Sequence, residues 1–273
     1  MNDDNLSQCR SMGGFTIIET LIVLAVTGAM LLVAILAFMG QSAKVEFNTS
    51  IRDIQSIIQT TINEVGSGYY PSGDDIRCEL GGTNLSITEG QAEQGSNTDC
   101  IFMGKVMQFG AIATDPQQYN ILTLAGYKDN NGDITQAKPQ IVDIPSATTN
   151  AILRNGLKVV SMSYTVGGVS DDIGAVAFVN GLGSYGGDSQ LISGSQQLSL
   201  LPVPDSGKIP NTDKQAVIEA VSDQLVNAPI NPNGGVKICF ASGGTKQSGL
   251  ITIGSGGRGL SVNLEIKSTL DCT

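Results

Sequence analysis

Apolar residues run almost unbroken from Phe15 to Met39, and Glu19 is the one charged side chain among them. At about 1.5 Å per residue, a helix of this length is roughly 37 Å long, enough to cross a bilayer core of about 30 Å. Beyond Met39 the pattern changes character without stopping. Phe47, Ile51, Ile54, Ile58, Ile62 and Val65 recur at steps of three and four, which places them on one stripe of an amphipathic helix. Gly66-Ser67-Gly68 ends it. The spacing predicts a single helix over Phe15 to Val65, roughly 75 Å if unbroken. Its first half is apolar all round, suited to lipid or a bundle of helices, and its second half has one apolar face to lay against a domain. Gly28 and Gly40 are points of softness, each costing about 1 kcal/mol relative to Ala, and no proline interrupts the segment.

After the helix the period shortens. Strand-like runs appear at Ile101 to Met107, Tyr119 to Leu124, Leu157 to Val166, Gly174 to Val179, Val236 to Ala241, Leu250 to Ile253 and Leu260 to Ile266, nearly all separated by turn residues. Val217, Ile218, Val221 and Leu225 keep helical spacing behind Thr212 as an N-cap, so one surface helix is expected over 212–227. The fold class read from this is α+β: a long N-terminal helix packed on an antiparallel β-sheet head.

Glu19 is the most informative side chain. An ionised carboxylate within a lipid-spanning helix costs a few kcal/mol on insertion scales, so a membrane reading needs a partner for it. The apolar segment is too long for the core of an ordinary secretory signal, and no Ala-x-Ala cleavage site follows. What precedes it is a short polar leader ending in Gly13-Gly14. Gly14-Phe15-Thr16-Ile17-Ile18-Glu19, followed by Thr20-Leu21-Ile22-Val23, resembles the processing site of type IV pilins and type II secretion pseudopilins. The resemblance covers residues 9 to about 65. It implies that a prepilin peptidase cuts between Gly14 and Phe15 and methylates Phe15 as the new N-terminus, while the apolar segment stays. It also gives Glu19 a partner, the N-terminal amine of a neighbouring subunit, and Coulomb attraction in a dry core is large enough to select register. Arg10 is the only basic residue of the leader, against Asp3 and Asp4, which is atypical for such a signal.

Length and composition bound the remainder. Of 273 residues, about 200 follow the helix, ample for one domain core. With 34 glycines, no tryptophan and 15% charged residues, the head reads as loop-rich, β-leaning and extracellular. Net charge is −10, and an acidic surface of this kind repels nucleic acid. Cys9 leaves with the leader, so Cys78, Cys100, Cys239 and Cys272 remain, an even number that fits an oxidised, exported domain. Three pairings are open. The sequence-local one, Cys78 with Cys100 and Cys239 with Cys272, closes loops of moderate length and is preferred. The second bridge holds the position of the C-terminal disulfide loop of many pilins. A zinc site fits poorly, because no two cysteines are two to four residues apart and histidine is absent.

Other patterns yield to plainer readings. Asp129, Asn131 and Asp133 put oxygens at alternate positions as a calcium loop does, but Ile134 and Gln140 stand where such a loop needs Gly and Glu. A solvated turn is preferred, and no metal or cofactor is expected. Gly254 to Gly259 is read as a hairpin loop rather than a phosphate cradle, since no helix N-terminus follows. Gly181 to Gly187 reads as a surface loop, and Tyr69-Tyr70-Pro71 as packing at the helix end. Without histidine, Ser-His and Cys-His nucleophile arrangements are excluded. Asp74-Asp75 and Asp171-Asp172 are adjacent acids that point apart, so no enzymatic activity is expected.

Organisation follows as a leader (1–14), a helix (15–65, with 15–39 the membrane or filament-core part) and a head (66–273). The resemblance implies a pilin-like structural subunit, held in the cytoplasmic membrane with its N-terminus inside, processed, and polymerised into a surface filament. Its partners would be the peptidase, the pilus assembly machinery and other subunits, met through the N-terminal helix. The alternatives are a pseudopilin of a secretion-like system and a membrane-anchored extracellular binding domain that never polymerises.

Overall fold

The computed structural model describes residues 16–68, 76–81, 84–89, 100–110, 116–127, 140–141, 148–180, 198–204, 235–256, 259–269 and 272. The chain divides into two compact units, Met1–Ala43 and Lys44–Thr273, and the helix α1 (Ile17–Ser67) contributes to both. The second half of the predicted helix thus belongs to the head unit.

α1 ends where the glycines suggested. Gly68 takes φ 67° and its N–H donates to the Val65 carbonyl at 3.1 Å, a left-handed closure that glycine adopts without a Cβ penalty. Its start lies at Ile17, slightly later than predicted, because Thr16 serves as the N-cap.

Among the described residues of the second unit, twelve strands follow: β1 (Ile76–Gly81), β2 (Asn84–Glu89), β3 (Cys100–Phe109), β4 (Gln118–Tyr127), β5 (Gln140–Ile141), β6 (Thr148–Ile152), β7 (Leu157–Val166), β8 (Val169–Asn180), β9 (Leu198–Pro204), β10 (Gly235–Ser242), β11 (Ser248–Gly256) and β12 (Gly259–Lys267). β1 and β2 form a hairpin of their own. The other ten make one antiparallel sheet in the order β12-β11-β10-β7-β8-β3-β4-β5, with β6 added to β4 and β9 to β8. β8 joins the two halves: Val169–Asp172 pair with β7, while Ala175–Val179 pair with β3. The expected strand at Gly174 begins earlier, at Val169. Gly167 and Gly168, both at positive φ (58° and 88°), close a two-residue hairpin that carries the polar Ser170-Asp171-Asp172 into the ladder. The predicted helix over 212–227, the loop 181–187, Tyr69 to Pro71 and Asp74-Asp75 lie outside the described residues.

The core sits between α1 and one face of the sheet. All six stripe residues, Phe47 to Val65, are buried and share a cluster with Phe109, Leu157, Met162, Val176, Phe178, Val236, Ile238, Phe240, Ile251 and Ile253. A bulge keeps β7 in phase with it. Cys239 pairs with Ser161 and Phe240 with Val159, so the extra residue Val160 turns outward while Val159 and Met162 both stay buried. Across β3, β4 and β8 the reverse face is buried as well, through Val106, Leu122, Leu124, Ala177 and Val179. There Asn120 donates to Gln108 at 3.3 Å from the directly opposed position.

Candidate functional site

Helix formation at the N-terminus depends on two residues. The Thr16 backbone N–H and hydroxyl both donate to Glu19 Oε2 at 3.2 Å, and the Glu19 N–H donates back to Thr16 Oγ1 at 3.3 Å. This is a capping box, in which residues three apart satisfy each other's free backbone donors. It also puts a carboxylate in the first turn, where the helix dipole favours negative charge. Glu19 therefore has a partner within its own helix, which the sequence reading assigned only to a neighbouring subunit.

The rest of the segment has no unsatisfied side chain to hide. Thr20 Oγ1 donates to the Ile17 carbonyl at 2.8 Å, and Thr27 Oγ1 to the carbonyls of Val23 at 2.8 Å and Leu24 at 3.1 Å. Such back-bonding lets hydroxyls sit in an apolar medium. The large apolar side chains described from Ile17 to Phe38 are 45–82% exposed. The helix is long and apolar enough to cross a membrane.

In the second unit, Lys105 of β3 is the one charged residue buried among the described residues. Its Nζ lies 2.5 Å from Glu64 Oε2 and ties the last turns of α1 to the sheet. The pair is invisible in sequence, its members being 41 positions apart. Tyr119 and Tyr164 have hydroxyl pKa values raised by burial; for Tyr119 the nearby Asp53 carboxylate adds to the rise and Arg154 opposes it.

Of the cysteines, Cys239 and Cys272 form a disulfide with a Cα–Cα distance of 5.9 Å, tying the C-terminal residues to β10 on the side away from α1. Cys78 lies in β1 and Cys100 opens β3, but their side chains lie outside the described part. Gly14, Phe15, Asp129, Asn131 and Asp133 lie outside the described residues. Among the described residues, no cluster of three or more His, Cys, Asp or Glu side chains is placed to hold a metal ion. Asp171 and Asp172 are both exposed on β8, on opposite faces of the strand.

No protein-family model matches the chain, and no curated protein or solved structure matches it either. The geometry defines the class at a coarser level. This is an α+β protein with a long N-terminal helix, whose first half is suited to a membrane and whose second half is packed on an antiparallel sheet carrying a disulfide.

Proposed function

We propose that the protein is a type IV pilin-like structural subunit, processed between Gly14 and Phe15 and polymerised through α1 into a surface filament. One observation carries the reading. In sequence, the Gly-Phe-Thr-Ile-Ile-Glu motif leads directly into a helix whose described large apolar side chains from Ile17 to Phe38 are exposed, and whose later part lies in the core of a disulfide-bonded head. Lipid would cover that surface before assembly, and neighbouring copies of α1 afterwards.

The capping box favours a second reading, a membrane-anchored domain that never polymerises, because it gives Glu19 a purpose in an isolated helix. Two substitutions separate the readings. Glutamine serves at the third helical position of a capping box almost as well as glutamate, but it cannot neutralise an amine. If Glu19 acts between subunits, Glu19→Gln and Glu19→Ala both leave the protein in the membrane and abolish its recovery in sheared surface filaments. If it only caps, Glu19→Gln behaves as wild type and Glu19→Ala weakens the helix by about 1 kcal/mol.

A further inference from the structure

Among the described residues, Asn155 is the one non-glycine residue at positive φ (54°, with ψ 36°). It lies in a short 3₁₀ turn, Arg154–Gly156, that leads into β7. A left-handed conformation costs a non-glycine residue on the order of 1 kcal/mol, less for asparagine than for most. Glycine would take this backbone with less strain, so what asparagine adds is its amide. Nδ2 donates to Ser50 Oγ at 2.8 Å and lies 3.5 Å from the Glu46 carbonyl oxygen. Ser50 is 2% exposed. From the other side, the Ser242 hydroxyl of β10 donates to the Asn155 carbonyl at 3.5 Å, holding the turn to the sheet. Arg154 Nη1 approaches Asp53 Oδ2 at 3.6 Å, an exposed pair that adds little.

Residues 46, 50 and 53 follow one another at steps of four and three, so this single turn grips one face of α1 over its first turns in the second unit. Phe47 and Ile51 anchor this segment in the core as Ile54, Ile58, Ile62 and Val65 do farther along, but toward the helix end the polar tie to the sheet is the Glu64–Lys105 pair instead. We propose that Asn155 is a latch. It holds residues 44–53 of α1 to the sheet as a segment that can be released while residues 57–65 stay docked. The inference concerns the second unit alone and stands whether or not the chain polymerises.

The test is hydrogen exchange, read by mass spectrometry on the full chain in detergent micelles, with the Cys239–Cys272 disulfide verified in each variant. Loss of one hydrogen bond to a buried hydroxyl should raise exchange of amides 44–53 about tenfold in Asn155→Gly, and further in Asn155→Ala, which keeps the strain. Exchange over 57–65 should not change. In a Ser50→Ala background, Asn155→Gly should alter exchange less than twofold, because the partner is already gone. Exchange in Asn155→Gly equal to or slower than wild type would show that the residue only fills a turn. An equal rise along the whole of 44–65, or a full tenfold effect in the Ser50→Ala background, would equally overturn the latch.

Discussion

A Cβ built on Gly249 would stand 2.8 Å from Cγ1 and 3.0 Å from Cδ1 of Ile51. β11 can approach α1 this closely because it presents no side chain there, and the contact fixes where along the sheet the stripe isoleucines lie. Gly249→Ala is expected to destabilise the protein by about 1–3 kcal/mol through overpacking. In an Ile51→Ala background, where the obstructing atoms are gone, the same substitution should cost much less. Thermal or denaturant unfolding of the four variants measures the coupling.

The Glu64–Lys105 pair should behave as a buried pair does when one partner is removed. Glu64→Leu leaves a buried ammonium, an effect of about 3–5 kcal/mol at full burial. We expect about 2 kcal/mol here, because the Glu64 side chain is 32% exposed and solvent screens it. The double variant Glu64→Leu with Lys105→Met should recover most or all of that loss. Denaturant midpoints of the two variants against wild type decide it.

Alkaline pH should loosen the fold through two tyrosines. Both hydroxyls have folded-state pKa values above the ordinary 10.0. The folded state thus holds its protons more tightly than the unfolded one. Their stabilisation is fully present below pH 10 and lost as pH rises through the folded-state values. Tyr119→Phe and Tyr164→Phe should each flatten the fall in thermal stability above about pH 10 and leave the curve near pH 7 unchanged in shape.

Opening the Cys239–Cys272 bridge releases a loop spanning 33 residues in sequence. Chain-entropy arguments put such a closure at between about 3 and 4 kcal/mol. Cys239→Ser with Cys272→Ser should lower the unfolding free energy by that amount, which denaturant unfolding curves of the variant and wild type, both without reductant, would show.

How far the sequence went depended on whether the signal was local. The helix was legible because its two halves each carry an unambiguous pattern, and the stripe from Phe47 to Val65 is the face that is buried. β7 was found end to end, since Leu157, Val159 and Met162 sit in a β-branched run. By contrast β2 (NLSITE), β6 (TTNAI) and the two-residue β5 mix polar and apolar residues without a clean period; pairing with a neighbour decides their state. The Thr16-x-x-Glu19 spacing is itself a capping-box pattern, but a lone carboxylate in an apolar helix fits a membrane or filament role equally well, and only the hydrogen bonds of Thr16 single out the cap. Lys105 lies between Gly104 and Val106 in an apolar run, and only the fold brings Glu64, at the rim of the core, within reach of it.

Mass spectrometry of the N-terminal peptide decides whether this chain is processed and polymerised. The peptide should be sought in filaments sheared from the native host's surface and in washed membranes. A processed, polymerised chain yields a sheared-fraction peptide that begins at N-methylated Phe15. A peptide retaining Met1 to Gly14, found only in membranes, would contradict that reading and leave an anchored domain.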